Sequence, residues 1–552
     1  MSKLDYVVFL IYFIIVASYG YWIYLRRKTR EHDSKAFFLA EGSLTWWAIG
    51  ASLIASNISA EQFIGMSGNG YFVGIAVAAY EWVAAIALII IAVWFMPVYL
   101  KNKIYTMPQF LKIRYNETVS MIMAVFWLFL YVFVNLTSIL FLGAIAISGL
   151  VGPEYFHPIM IALAAFAIVI TLGGMKVIGY TDVIQVLVLI IGGLATVYMA
   201  LNKVSDGHGA ISGLSTVIKE APDHFHMMLA KPNASSSQEH IDKYLILPGI
   251  LMYLGGQWIA NLNYWGCNQY ITQRALGANL QTARTGILFA AFLKLLMPVI
   301  VMLPGIAAYV LVKQGHIGQL ARQDDAYASV LGFLPVGLKG LSIAALTAAI
   351  VASLAGKANS ISTIFTLDIY KKYINKEASE KRMVWTGRAV VLCAMAVAVM
   401  FTWKDLLGIG SAGGFTYIQK YTGFISPGVF AMFFLGMFWK RTTGAAAVAG
   451  LLTGFVLCVF FNEFAPQVLG NETFLYTAYP NGKGGYEIPF LIAMGLAFMF
   501  SIIVMVAISL AGPKINPKAF ALDKEMFKLK PQTIAMIVVI LLVLMALYVK
   551  FW

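Results

Sequence analysis

Charge is scarce in this chain. Of 552 residues, 12% are Asp, Glu, Lys or Arg and 60% are hydrophobic, with a mean hydropathy of +0.80. Two or three soluble domains of this length would need far more polar surface, so the composition points to a bilayer as solvent. Cysteine is also rare. Cys267, Cys393 and Cys458 all lie in apolar runs with no C-x-x-C pair, which argues against a disulfide framework and a zinc site. The seven histidines show no metal-ligand spacing, and His224 and His226 are expected to be solvated in a polar loop. No phosphate-binding G-x-x-x-x-G-K-[ST] is present, so ATP-driven pumping has no visible machinery. No nucleophile, base and orienting group recur together, which argues against an enzyme. Nor is there a tail expected to hold a kinase, ATPase or receptor domain.

The net charge of +14 is not a nucleic-acid footprint. The basic residues flank apolar runs, the pattern that sets membrane topology. Residues 5–25 lack a small-residue cleavage site and are followed by Arg26, Arg27 and Lys28, so they read as a retained helix rather than a signal peptide. Runs of about 20 apolar residues suggest about fourteen spans: 5–25, 46–68, 77–100, 120–148, 157–174, 181–201, 245–269, 286–312, 340–365, 387–403, 421–439, 442–462, 487–511 and 533–551. One set of alternate loops, including Lys101, Lys112, Arg114, Arg274, Arg284, Lys371 and Lys381, collects about 24 Lys and Arg against about 12 in the other. The first set is therefore assigned to the cytoplasm, both termini to the outside, and the long loop 202–244 to a partly ordered external cap.

Two spans carry polar residues that hydrocarbon does not tolerate unless they line a cavity. The first is Ala51–Gly65, with Ser52, Ser56, Asn57, Ser59, Glu61 and Gln62. An unwound helix at 56–60 would release backbone carbonyls suited to a hard cation such as Na⁺; a tight polar helix contact is the plainer reading. The second is 255–270, where glycines flank Gln257, Asn261, Asn263, Tyr264, Trp265 and Asn268. Amides beside aromatics suit a sugar, whose hydroxyls need donors and acceptors and whose ring face stacks on an aromatic plane. An interfacial aromatic belt would account for Tyr264 and Trp265 but not for Gln257 and Asn261. Glu81 in the third span and Lys294 in the eighth complete a donor and acceptor set for a polyol, or alternatively form a structural ion pair. In the ninth span, Ser353 and Lys357 share one helix face. The hydroxyl suits Na⁺, and the lysine is either a built-in cation or a side chain reaching the inner interface. Asp182, at the cytoplasmic start of the sixth span, draws a cation inward, pairs with Lys357 or faces water.

The runs WWAIGASLIASNISAEQFIGMSGNGY, AAYEW and ANLNYWGCNQYITQR, with YTDVIQV, LPGIAAY, STIFTLDIYKKY and YIQKYTGFISPG, span nearly the whole chain. They resemble the sodium/solute symporter family in its sodium/glucose cotransporter branch. The resemblance implies an all-α membrane protein of about fourteen helices with a five-plus-five inverted repeat, and discontinuous second and seventh helices. It implies that Gln62, Glu81, Asn261 and Lys294 hydrogen-bond the sugar, with Asn57 and Gln419 nearby. Tyr264 would stack beneath the ring as the inner gate, and Met66, Tyr80 and Phe415 would close over it from outside. Na⁺ would be held by backbone oxygens of Ala55, Ile58 and Ala349 and by the Ser353 hydroxyl, with Asp182 on its exit route.

Three departures from that pattern stand out: Ala352 where the family has a second serine, Lys357 in place of an apolar residue, and Ala84 where galactose-transporting members have a sugar-facing serine. The resulting expectation is a Na⁺-coupled monosaccharide symporter of the inner membrane, with no other cofactor. Its layout would be an extra helix and linker (1–45), a first repeat (46–201), an external loop (202–244), a second repeat (245–439) and three further helices (440–552). A monomer would suffice for transport, with a homo-oligomer left open. The alternatives are a Na⁺-independent or H⁺-linked sugar carrier, a same-family symporter of another solute, and a sugar sensor.

Overall fold

A computed structural model describes residues 2–552 except 27–44, 60, 105, 173–174 and 410–412; the side chains of residues 17, 20, 21, 23–26, 175–183 and 270 are likewise not described. The chain is helical almost throughout. Its helices are α1 (Lys3–Arg26), α2 (Trp46–Asn57, resuming at Glu61–Phe72), α3 (Ile75–Lys101), α4 (Glu117–Val151), α5 (Pro153–Leu172) and α6 (Met175–Val204). They continue as α7 (Gly256–Gly266), α8 (Leu280–Lys313), α9 (Leu338–Ile374), α10 (Glu380–Thr402), α11 (Gly414–Gly423 with Ser426–Phe438), α12 (Gly444–Leu469), α13 (Phe490–Leu510) and α14 (Pro531–Phe551). Among the described residues, ten helices are long and apolar enough to cross a membrane, and two bent pairs raise the number to 12. Helices α1 and α2 occupy the first two expected spans.

Several expectations need correction. The eleventh span starts at Gly414, not near 421, and bends by 50° before Ser426. Pro427 sits in the first turn of its second half, where a missing N–H is tolerated, but it cannot extend the preceding half. Loop 202–244, expected as a partly ordered cap, does contain a helix at Ala210–Glu220 and most of another at Gln238–Ile246, which runs past the expected boundary. His224 is buried, not solvated: its Nε2 donates to the Tyr71 carbonyl at 3.0 Å. A two-stranded antiparallel hairpin, Tyr479–Pro480 with Tyr486–Glu487, was not anticipated. Arg114, Arg274 and Arg284, counted above as loop charges, are all buried.

The chain divides into two compact units. The first contains 1–77, 127–225 and 273–418; the second contains 78–126, 226–272 and 419–552. In the first, α9 is the central helix. It packs on α1, α5, α6 and α10, and it reads as small residues because its neighbours approach its backbone closely. A Cβ at Gly143 of α4 would stand 2.8 Å from Ile350 of α9. The Asp5 carboxylate accepts from the N–H groups of Gly337 and Gly340 at 2.7 and 3.1 Å, so an acid from α1 caps the positive end of α9. In the second unit, α7 packs on α3 and α11, and α12 packs on α13. Arg114, 0% exposed, donates to the carbonyls of Gly436, Thr442 and Trp439 at 2.6, 3.1 and 3.1 Å. A cation at the C-terminal end of α11 satisfies carbonyls that have no helical partner.

Candidate functional site

The polar stretch of α2 unwinds where the sequence suggests. The helix stops at Asn57, Ile58 is extended (φ −76°, ψ 112°), and helix resumes at Glu61 with a wider, π-type turn. The hydrogen bonds around the gap have a specific consequence. In a continuous helix the Ser59 N–H would donate to the Ala55 carbonyl, but it donates to Gln62 Oε1 at 3.2 Å. The Gln62 N–H would likewise serve Ile58, but it donates to the Ser59 carbonyl at 3.2 Å. The carbonyls of Ala55 and Ile58, two of the expected Na⁺ ligands, therefore lose their helical donors.

Helix α9 packs against this stretch. Ala349 and Ser353 are both buried, and the Ser353 hydroxyl has no hydrogen-bond partner among the described residues. A buried hydroxyl left unmatched calls for an explanation. The Ala55 and Ile58 carbonyls and the Ser353 hydroxyl are three of the four oxygens expected to hold Na⁺.

Lys357 lies one turn beyond Ser353. It does not reach the inner interface: it is 4% exposed, and its Nζ stands 3.6 Å from Glu61 Oε1, itself in a residue 8% exposed. Glu61 was noted only as part of the polar cluster, and its pairing was missed. The available signal was that a lone lysine in one span and a lone glutamate in another are each costly in hydrocarbon and complementary in charge. Asp182 belongs to α6, but its side chain lies outside the described residues.

The expected sugar-binding residues divide between the units. In the first, Lys294 of α8 donates to Asn57 Oδ1, joining two of them directly. Gln62 is buried, with its carbonyl oxygen closing the α2 gap. Of the expected outer-gate residues, Met66 and Phe415 are buried, and a Cβ at Gly65 would stand 2.7 Å from Phe415 Cβ. The Phe415 backbone and Cβ therefore pack directly against α2 at Gly65.

In the second unit, Tyr80 and Glu81 lie in the second turn of α3 and are buried. Helix α7 begins after a sharp break at Gly255, where the chain turns by 81°. Asn261 Nδ2 donates to the Gln257 carbonyl at 2.9 Å, Asn263 donates to Ser426 Oγ at 3.0 Å, and the half-buried Tyr264 ring meets Trp265 edge-on. Gln419 lies half-buried on α11. Gln257, noted in the sequence but not assigned a sugar contact, is fully buried, with both amide atoms unpartnered among the described residues. An amide with two unmet hydrogen bonds, one turn from Asn261, is a further candidate to meet a hydroxylated ligand.

The fold and the polar breaks define a multi-pass membrane transporter. The sodium:solute symporter family model matches residues 37–454, and the chain belongs to that family. It is 42% identical to a sodium/glucose cotransporter of Vibrio parahaemolyticus, covering 100% of this chain and 99% of that protein. It is 33% identical to a human sodium/myo-inositol cotransporter 2, over 82% of this chain and 69% of the other. A solved Na⁺-coupled sialic acid symporter shares the fold at a TM-score of 0.75 and 19% identity, covering 93% of this chain and 99% of that one.

Proposed function

We propose that the protein carries a galactose- or glucose-like monosaccharide together with Na⁺ by alternating access. The observation that carries this reading is the unwound stretch of α2, which releases the Ala55 and Ile58 carbonyls beside a helix bearing the unpartnered Ser353 hydroxyl. Na⁺ bound there ties α2 to α9. Asn57, Gln62, Lys294, Glu81, Asn261 and Gln419 hydrogen-bond the sugar; Tyr264 stacks beneath it, and Met66, Tyr80 and Phe415 cover it. Binding of either ligand raises affinity for the other by the same factor. Asp182 lies on the sodium exit route. The similarity to a sodium/glucose cotransporter supports both ligands. In this reading residues 46–201 and 245–439 are inverted repeats, the protein sits in the inner membrane with both termini outside, and a single chain suffices. Proteoliposomes containing Glu81→Ala or Lys294→Ala are expected to lose galactose uptake; unchanged uptake would overturn the assigned pocket.

One observation favours a second reading. The buried Lys357–Glu61 pair places an ammonium group one turn from Ser353, and Ala352 supplies no second hydroxyl. A carrier built this way has its ion-site charge in place without Na⁺ and runs as a uniporter or with protons. Sugar uptake indifferent to the Na⁺ gradient would select it.

A further inference from the structure

The turn Gln323–Asp325 lies in the loop between α8 and α9, which the charge pattern assigns to the outside. It buries a carboxylate in an unusual place. Asp324 is 2% exposed. Its Oδ2 accepts from the N–H of Gly414, the first residue of α11, at 2.9 Å. Its Oδ1 lies against α2: a Cβ at Gly68 would stand 2.7 Å from it, and Oδ1 has no hydrogen-bond partner among the described residues. The adjacent side chain makes a second tie. Gln323 Nε2 donates to Asn69 Oδ1 at 2.9 Å, and Asn69 Nδ2 donates to Thr416 Oγ1 at 3.2 Å. Gly413 holds φ +75°, and any side chain there would collide with the Gln323 amide. One turn thus fastens the outer half of α2 to residues 414–416, which flank Phe415.

We propose that Asp324 is a positioning residue of the outer gate, an acid-sensitive latch that holds the Phe415 segment on α2 when its carboxyl carries a proton and releases it when the carboxyl is charged. The inference rests on the reading of Met66 and Phe415 as that gate.

The charges around Asp324 are few. On the turn itself are Arg322 and Asp325, which pair with each other at 3.1 Å. The packed elements carry Glu61 and Tyr71 (α2), Tyr327 (Ala326–Leu331) and Tyr417, Lys420 and Tyr421 (α11), the last two about two turns beyond Gly414, and Thr137–Val151 of α4 carries no titratable side chain. Desolvation therefore dominates, pushing the Asp324 carboxyl up from 3.8 to about 6 despite the bond from Gly414 and the nearby Arg322. A latched carboxyl raised in this way binds protons more tightly than one opened to water. Latching is then favoured fully below about pH 4, and the advantage is lost as pH rises through about 6. Between pH 7.5 and 5 the latched fraction gains about tenfold over the open one.

The test is labelling of a Met66→Cys variant, with Cys267, Cys393 and Cys458 replaced by alanine, using a membrane-impermeant maleimide applied from outside. Rates are normalised to Asn233→Cys in the external loop to remove the reagent's own pH dependence. The latch predicts a lower rate at pH 5 than at pH 7.5, by up to about tenfold. Asp324→Asn, a neutral acceptor at every pH, labels slowly at both. Asp324→Ala, with no acceptor for Gly414, labels fast at both. A pH-independent rate in the parent, or the same pH dependence surviving in Asp324→Asn, would overturn the proposal. Absence of sugar uptake at any pH alongside the predicted labelling pattern would count against the transport reading alone.

Discussion

Replacing Lys357 by methionine removes the cation that faces Glu61 across 3.6 Å. At an effective dielectric of about 20, two unit charges at that distance attract by roughly 5 kcal/mol. Leaving one member of a buried pair without its partner costs about 3–5 kcal/mol. Lys357→Met should therefore destabilise the protein by about 3–5 kcal/mol. Glu61→Gln should cost a similar amount. The double variant leaves neither charge and should lie within about 1 kcal/mol of the parent, giving a coupling energy of several kcal/mol. Reversible unfolding in mixed detergent micelles, with the four proteins compared at equal detergent composition, measures the cycle. A double variant destabilised by the sum of the two singles would refute the pair as an energetic unit.

Three further outcomes follow from other parts of the molecule. Ser353→Ala should weaken Na⁺ activation of uptake by about tenfold or more while leaving thermal stability unchanged, because the hydroxyl removed has no partner among the described residues. Gln257→Leu should leave the sugar-free protein as stable as the parent or more so, yet lower galactose affinity by about 10- to 100-fold, measured by radioligand competition. Equal affinity would remove Gln257 from the sugar site. Arg114→Met removes a buried donor from three carbonyls, of which those of Trp439 and Thr442 keep a second donor in Thr442 and Asn516, and should cost about 1–3 kcal/mol, seen as a lower unfolding midpoint in micelles with sugar affinity retained in the folded fraction.

Much of the architecture was legible because a bilayer imposes a simple rule on sequence. A span needs an apolar run of about 20 residues, and a polar cluster within one needs a reason. That rule located the α2 gap and the polar stretch of α7 whose break falls at Gly255. It failed at α11. Residues 414–420, GFTYIQK, are too polar to read as a span, yet they form a helix whose Phe415 is buried. Arg114 was read as a marker of the cytoplasmic side, since sequence cannot distinguish a loop arginine from one capping a helix end across more than 300 residues of chain. The Lys357–Glu61 pair lay hidden for the same reason, since no spacing rule links charges so far apart. The unpartnered states of Ser353 and Gln257 belong to packing alone. Sequence shows that a polar group is present, not whether it has been satisfied.

The most direct test is uptake of labelled galactose and glucose into proteoliposomes with and without an inward Na⁺ gradient, for the parent and for Lys357→Met. The symport account predicts accumulation in the parent only when the gradient is present. Uptake by the parent that ignores Na⁺, with Na⁺ dependence appearing in Lys357→Met, would contradict it and show that the lysine has taken the ion's place.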